Sequence, residues 1–179
     1  MKLDILAFGA HPDDIELGCS GTILKHLKNG LKIGIIDLTR GELGTRGTVN
    51  TRNQETINST KVLGVQLREN MDFKDGFFEN NEENKIELIK KIREYRPEIV
   101  LTNAPTDRHP DHGRTSDLTI DACFLSGLEK IETGQDVWRP KHIYHYIQFN
   151  TILPDFVVDI TEQMDKKLES VLCYKTQFY

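Results

Sequence analysis

Short apolar runs alternate along this chain with longer segments of helical character. Strand-like runs at 3–8, 32–39 and 98–102 are rich in isoleucine, leucine and valine. Residues 82–95 carry apolar side chains at helical spacing and stop before Pro97. Near-continuous apolar strands joined by helix-length crossovers are typical of a parallel sheet that is covered on both faces. The pattern therefore predicts an α/β fold, Rossmann-like and three-layered, with a mostly parallel, doubly wound sheet.

The remaining segments continue the same alternation. Helices are predicted at 16–28, 50–64, 113–128 and 161–173, and strands at 69–73, 142–149 and 156–158. No internal repeat or linker interrupts the pattern. A single domain over residues 1–179 is therefore expected, since this length is that of one domain.

Composition limits the classes of function that the chain can have. A net charge of −5 and a pI of about 5.7 provide no basic surface for nucleic acid. No stretch approaches the roughly 18 apolar residues that a membrane span needs, so no membrane partner is expected. The 3 cysteines are odd in number and scattered, which favours a reducing cytoplasm over a disulfide scaffold. These features indicate a cytoplasmic protein that acts on a small molecule.

Two histidine clusters come directly after predicted strands. Residues 11–14 read His-Pro-Asp-Asp and follow the first strand, whereas residues 109–112 read His-Pro-Asp-His and follow the strand at 98–102. If the strand order is the Rossmann order 3-2-1-4, these two strands are neighbours. Their loops would then meet at the carboxyl edge of the sheet, where open α/β folds bind ligands.

The residue types in these clusters suit a metal site with its own general base. Zinc takes imidazole nitrogen and carboxylate oxygen, and a catalytic site keeps one position open beside three protein ligands. His11 and Asp14 can be presented by one loop, and His112 is the natural third ligand. Fe²⁺ suits the same ligands, so the sequence leaves it open as an alternative to Zn²⁺. Asp13 remains as a general base that activates water.

Other charged residues beside these clusters are candidates for supporting roles. His109 and Asp111 could form an imidazole–carboxylate pair that steadies an oxyanion or returns a proton to a leaving amine. The polar, glycine-rich loop after the second strand carries further charged side chains that could contact a substrate: Arg40, Glu42, Arg46 and Arg52.

Plainer interpretations remain open at this point. Asp13 or Asp14 could cap the helix at 16–28, and the second cluster could be a turn into the next helix. The loop arginines could equally form a solvated surface. A nucleotide site is disfavoured, because residues 9–14 lack the G-x-G-x-x-G spacing and their carboxylates would repel phosphate.

Three motifs resemble those of a known family. Residues 10–19 (Ala-His-Pro-Asp-Asp-Ile-Glu-Leu-Gly-Cys) look like the opening of the zinc-dependent de-N-acetylases of the PIG-L/LmbE superfamily. Residues 39–45, together with Arg52 and Glu55, resemble the second motif, and residues 107–112 resemble the third. Within the superfamily the chain looks most like the bacillithiol-biosynthesis deacetylases, from Leu3 to about Phe178.

The resemblance implies a division of roles among the candidate residues. By resemblance, the zinc ligands would be His11, Asp14 and His112, and Asp13 would be the base. His109 and Asp111 would form the supporting pair, and Arg52 would contact the substrate. Members of this branch release acetate from N-acetylglucosaminyl-malate and are often hexameric, so a homo-oligomer is expected. Relatives run further than this chain, which is therefore expected to lack the C-terminal tail that contributes to their substrate pocket.

The sequence thus predicts a zinc-dependent de-N-acetylase of an N-acetylglucosamine conjugate. The malate conjugate is the expected substrate, because its two carboxylates could be met by the loop cations Arg40, Arg46 and Arg52. One alternative is a deacetylase of another N-acetyl sugar, such as diacetylchitobiose. An alternative of another class is a catalytically silent homologue that binds sugar or forms an oligomer.

Overall fold

A computed structural model describes residues 1–178; Tyr179, the last residue of the predicted domain, lies outside the described residues. In chain order the elements are β1 Ile5–Gly9, α1 Asp14–Gly18, α2 Ser20–Lys28, β2 Ile33–Thr39, α3 Val49–Leu63, β3 Leu67–Phe73, α4 Glu82–Tyr95, β4 Ile99–Asn103, α5 Pro110–Leu125, β5 His142–Tyr146 and α6 Met164–Val171. The helices in this part of the chain are each too short or too polar to span a bilayer.

Within residues 1–178, five parallel strands form one sheet in the order β3-β2-β1-β4-β5. From β1 the chain first winds outward through β2 to β3, then returns to the other side of β1 and continues through β4 to β5. The predicted parallel, doubly wound sheet is therefore confirmed. The switch in winding direction places β1 and β4 side by side, so the loops that follow them flank one crevice.

Helices cover both faces of the sheet, as the alternation of β1 side chains requires. Leu6 and Phe8 of β1 point to a core shared with Leu88 and Ile92 of α4. The other face of β1 packs with Ile15 of α1 in a second core. These two buried layers confirm the predicted three-layer arrangement.

The predicted helix at 16–28 is interrupted in the structure. Helices α1 and α2 meet at Cys19, where the backbone is not helical (φ −140°, ψ 7°). The chain passes close to other elements here, since a Cβ added at Gly18 would lie 2.2 Å from the ring of Tyr146. Glycine is thus required at this contact between α1 and β5.

The predicted strand at 156–158 is wrong. These residues belong to an irregular surface segment, in which Val157 is 82% exposed. Three consecutive apolar residues have the same local signature whether they enter a sheet or lie on the surface, so the pattern could not separate the two cases. The predicted helix at 161–173 begins as a 3₁₀ turn and continues as α6.

A buried arginine ties several elements together below the carboxyl edge of the sheet. Arg68 of β3 forms two hydrogen bonds to Asp37 of β2, at 2.8 and 2.9 Å, and a third to Glu16 of α1 at 2.5 Å. Glu16 also accepts from Ser59 of α3 and from Tyr174 near the C-terminus. A single cation therefore connects β2 and β3, through two carboxylates, to helices α1 and α3.

The two carboxylates share this cation unequally. Burial would raise the pKa of Glu16, but Arg68 outweighs it and the pKa falls below the usual value. Burial dominates at Asp37 and raises its pKa despite the same arginine. The arrangement depends on Arg68, because an isolated carboxylate is costly to bury.

We expect Arg68→Leu to lower the free energy of unfolding by about 3–5 kcal/mol, because it leaves two buried carboxylates without their cation. Urea unfolding followed by circular dichroism would measure the loss. Arg40→Leu is the matched control: Arg40 pairs with Asp72 on the surface, and its removal should leave the unfolding midpoint unchanged. Equal stability of Arg68→Leu and the parent protein would contradict the structural role of this network.

Candidate metal centre

The two histidine clusters meet at the carboxyl edge of the sheet. The ring of His11, in the loop after β1, lies 4.6 Å from the ring of His109 and 5.7 Å from that of His112. Both latter residues come from the start of α5, which follows β4. His112 is only 1% exposed. The adjacency of β1 and β4 therefore brings together side chains from distant parts of the chain, as the predicted strand order required.

Asp14 lies between two of these imidazoles. Its Oδ2 is 3.5 Å from His11 Nδ1, and its Oδ1 is 3.2 Å from His112 Nε2. The carboxylate is 2% exposed. Burial would raise the pKa of Asp14, but the hydrogen bonds with His11 and His112 outweigh it and hold the pKa well below its usual value. Asp14 is therefore an ionised carboxylate at neutral pH.

Each of these histidines has a carboxylate on its far ring nitrogen. Asp107 lies 2.8 Å from His112 Nδ1, and Asp75 lies 3.0 Å from His11 Nε2. Asp111 also approaches His11 Nε2, at 3.3 Å. Histidine ligands of metals are oriented in this way, since the far contact fixes the tautomer and the plane of the ring. His11 Nδ1 and His112 Nε2 are consequently the nitrogens that face Asp14.

The carboxylates also change the acidity of the two imidazoles. Burial lowers the pKa of His11, but hydrogen bonds to Asp111, Asp14 and Asp75 outweigh it and raise the pKa well above its usual value. At His112 burial is likewise outweighed, chiefly by Asp14, and the pKa is raised. Both rings thus lie in a strongly negative environment that would attract a cation.

The donor atoms at this site are those that zinc and iron take in proteins. Among the described residues, two overlapping groups of side chains have ligand atoms within 4.8 Å of one another: His11 with His109 and His112, and His11 with Asp75 and Asp111. The set predicted from the sequence uses Asp14 in place of His109. All three sets share His11. The set with Asp75 and Asp111 uses His11 Nε2, whereas Asp14 faces His11 Nδ1, so these two sets would hold an ion on different sides of the ring.

Asp13 is held next to this cluster in a strained conformation. It precedes α1 with φ 114°, in a region that side-chain-bearing residues rarely adopt. Its Oδ2 lies 3.0 Å from Arg52 Nη2. Burial raises the pKa of Asp13 to about 7, against the opposing effect of Arg52 and with the help of the neighbouring Asp14. A carboxyl group with such a pKa can accept and return a proton near neutral pH.

Arg52 is directed at the turn that carries these residues. Its Nε and Nη2 donate to the carbonyl oxygen of Pro12, at 3.0 and 2.5 Å, and Nη2 also pairs with Asp13. The residue is only 7% exposed. These contacts hold the Pro12–Asp13 peptide in place. A contact between Arg52 and a substrate stays a prediction.

The other charged residues of the loop after β2 have different surroundings. Arg40 is exposed and pairs with Asp72. Glu42 accepts a hydrogen bond from the backbone of Asp75 at 2.8 Å, so it supports the turn that contacts His11. Arg46 is exposed farther along the loop. The structure thus brings Arg52 and Glu42 to the edge of the cluster and leaves Arg40 on the surface.

His109 and Asp111 do not form the expected side-chain pair among the described contacts. The Asp111 carboxylate faces Arg114 at 2.6 Å, the backbone N–H of Gly76 at 2.8 Å, and His11. Its link to His109 is a backbone one: Asp111 N–H donates to His109 Nδ1 at 3.3 Å. Arg114 lies one turn along α5, where it competes for the carboxylate. The expected pair is therefore replaced by a helix cap.

His109 is left as a neutral donor. Burial lowers its pKa, and the nearby His11 and His112 lower it further. Because Nδ1 accepts the Asp111 N–H, the proton of the neutral ring resides on Nε2. The ring can therefore offer an N–H donor beside the candidate metal ligands.

Sequence reasoning missed several residues that contact the cluster, among them Asp75, Asp107 and Gln148. Asp75 follows the predicted strand at 69–73, so its position at a strand end was an available signal. Asp107 lies within the third motif, five residues before His112. Gln148 donates to Asp14 at 2.8 Å, but no pattern in the sequence distinguishes this glutamine from a surface one.

The sequence profile described as "PIG-L: GlcNAc-PI de-N-acetylase" matches residues 6–123, which include both histidine clusters. The chain belongs to the PIG-L family. A diacetylchitobiose deacetylase from Thermococcus kodakarensis is 32% identical, over 97% of this chain and 70% of that protein. The predicted superfamily is therefore confirmed.

Comparison within the PIG-L family supports the predicted branch only weakly. A probable N-acetyl-α-D-glucosaminyl L-malate deacetylase from Bacillus anthracis is 26% identical, over 97% of this chain and 81% of that protein. The diacetylchitobiose deacetylase is more similar than this. The crystal structure of a conserved protein from Thermus thermophilus shares the fold with a TM-score of 0.95 and 38% identity, over 98% of this chain and 80% of that one.

We expect His112→Ala and Asp14→Asn to lose most of a bound ion, at a starting content of about one per chain. His109→Gln should retain it, because His109 caps α5 and has no carboxylate on a far nitrogen among the described contacts. Metal analysis after dialysis against Zn²⁺ would measure the content. Retention by Asp14→Asn together with loss by His109→Gln would instead identify the three imidazoles as the ligands.

Proposed function

We propose that this protein is a metal-dependent hydrolase that removes the acetyl group from an N-acetylated sugar. The proposal rests on one observation: His11 and His112 meet at the buried Asp14 carboxylate, and the buried Asp13 adjoins Asp14 in the same turn. This combination of a base and metal-type donors suits the hydrolysis of an amide. Membership of the PIG-L family and the named activities of its relatives support the same reaction class.

We infer that the ion is held by His11, Asp14 and His112, with Zn²⁺ expected and Fe²⁺ as the alternative. When bound there, such an ion would supply a Lewis acid that polarises the amide carbonyl and lowers the pKa of a water molecule. The carboxylate of Asp13 accepts a proton from the attacking water. It then returns this proton to the amide nitrogen as the C–N bond breaks, and the products are acetate and the free amine.

Two neighbouring residues serve this proton transfer. Arg52 keeps the Asp13 carboxylate in its orientation through the 3.0 Å ion pair and through its hydrogen bond to the Pro12 carbonyl oxygen. His109, neutral and protonated on Nε2, is the donor that stabilises the oxygen of the tetrahedral intermediate. Asp111 contributes indirectly, by orienting His11 and by capping the ring of His109 with its backbone N–H.

We propose an uncharged N-acetylglucosamine oligosaccharide, such as diacetylchitobiose, as the substrate. Of the cations expected to meet a dianion, Arg40 is paired with Asp72 and Arg52 with Asp13. Little positive charge therefore remains from these two arginines for the carboxylates of a malate group. The 32% identity to a diacetylchitobiose deacetylase points the same way. The malate conjugate is the second candidate, favoured by the relative from Bacillus anthracis.

The same site argues against a catalytically silent homologue. A protein that only bound sugar would have no need of a buried aspartate in a strained conformation, because such a residue costs stability. Assembly into a homo-oligomer, a hexamer by the family resemblance, stays a prediction. Light scattering at several protein concentrations would measure it.

The role of Asp13 can be tested by Asp13→Asn. We expect this variant to retain its metal but to lose about 10²–10⁴-fold in kcat for acetate release, since an amide cannot accept the proton. Asp117→Asn, on the exposed face of α5, is the matched control and should keep full activity. Near-normal turnover by metal-loaded Asp13→Asn would assign Asp13 a structural role.

Substrate choice can be tested by comparing kcat/KM for diacetylchitobiose and for N-acetylglucosaminyl-malate. A malate carboxylate that finds no partner in the site loses about 1.5–3 kcal/mol of hydrogen-bond free energy. This corresponds to roughly tenfold to a hundredfold, so diacetylchitobiose should be preferred by at least about tenfold. Arg40→Ala should leave the ratio unchanged. A tenfold preference for the malate conjugate that disappears in Arg40→Ala would favour the bacillithiol pathway instead.

A further inference from the structure

The three residues 148–150 lie against the metal-type cluster, although they come from the irregular segment after β5. Gln148 Nε2 donates to Asp14 Oδ1 at 2.8 Å. The ring of Phe149 stacks on that of His112, with centroids 5.9 Å apart and planes at 13°. The backbone N–H of residue 150 donates to Asp107, which in turn contacts His112. Consecutive residues thus support three different members of the cluster.

The contact of Gln148 decides how the Asp14 carboxylate is presented. Asp14 Oδ2 already accepts from the backbone N–H of His11 and from Asn103 Nδ2, at 3.0 and 3.3 Å. Oδ2 also lies 3.5 Å from His11 Nδ1, so both of its lone pairs are engaged. Oδ1 accepts from Gln148, and its second lone pair faces His112 Nε2, 3.2 Å away. An ion shared by Asp14 and His112 would therefore bind at this lone pair, and the hydrogen bond from Gln148 determines which lone pair of Oδ1 that is.

The orientation of the Gln148 amide is determined by its surroundings. Exchanging its oxygen and nitrogen would place Oε1 against the Asp14 carboxylate, where two acceptors would repel. In the present orientation Oε1 is buried and has no hydrogen-bond partner within residues 1–178. Burying a carbonyl oxygen without a partner costs free energy, so this oxygen does not hold the side chain in place. The hydrogen bond to Asp14 is the polar contact that does so.

We propose that Gln148 is a positioning residue, which fixes Asp14 in the geometry that binds the metal ion. This inference rests on the proposed function, because it assigns Asp14 as a ligand. Hydrogen bonds to ligating carboxylates typically influence metal affinity by 10–100-fold, and Gln148 occupies such a place.

The test is Gln148→Met, which keeps the approximate volume of the side chain and removes the donor. Gln135→Met is the matched control: Gln135 Nε2 donates to the Lys90 carbonyl, its Oε1 is likewise buried and unpaired, and it contacts no residue of the cluster among the described contacts. Affinity for Zn²⁺ alone would be measured by competition with a chromogenic chelator, and the melting temperature of the metal-free proteins by calorimetry.

We expect Gln148→Met to bind Zn²⁺ about 10–100-fold more weakly than the parent, with an unchanged melting temperature without metal and with activity restored at saturating Zn²⁺. Gln135→Met should bind Zn²⁺ like the parent. Equal Zn²⁺ affinity of Gln148→Met and the parent would overturn the positioning role, and so would an activity loss that persists at saturating Zn²⁺. Failure of the parent itself to bind Zn²⁺ would count against the proposed function, which separates the two outcomes.

Discussion

The arrangement of the site depends on a buried ion network below it. Arg68 joins Glu16 of α1 to Asp37 of β2, and α1 begins directly after the histidine–aspartate turn. The position of this turn therefore depends on charges that must stay paired. Breaking a buried ion pair costs much more free energy than forming the pair contributes. The network holds the turn in one geometry, because an alternative that separates these charges would leave a buried charge unpaired.

A second buried arginine supports the turn from the other side. Arg52 of α3 holds the Pro12 carbonyl and the Asp13 carboxylate, while Asp13 has the unusual φ of 114°. Strain of this type costs on the order of 1–3 kcal/mol and persists only where the surroundings enforce it. Here the surroundings are Arg52 and the α1 helix, and the result is a carboxyl group presented at the site with a pKa of about 7.

The cluster above these arginines has a negative excess that a divalent cation would offset. Four carboxylates surround the two most buried imidazoles: Asp14, Asp75, Asp107 and Asp111. Hydrogen bonds with them raise the pKa of His11 and of His112 above the ordinary value. An ion between the rings would take over the role of those protons, so the same contacts that favour protonation also prepare the nitrogens as ligands. Asp14 thus belongs to the metal-type donors, whereas the adjacent Asp13 pairs with Arg52 and is the proposed base.

The sequence by itself determined the parallel sheet and the meeting of the two histidine clusters, because both follow from local patterns. Apolar runs report strands, and the strand order then places the ends of β1 and β4 together. The tertiary structure alone decided which side chains face each other there. It joins Asp111 to Arg114 rather than to the His109 side chain, and it uses Arg52 to hold the turn. Gln148 reaches the site from an irregular segment whose path depends on packing, and a hydrogen bond between residues so distant in the chain leaves no periodic trace in the sequence.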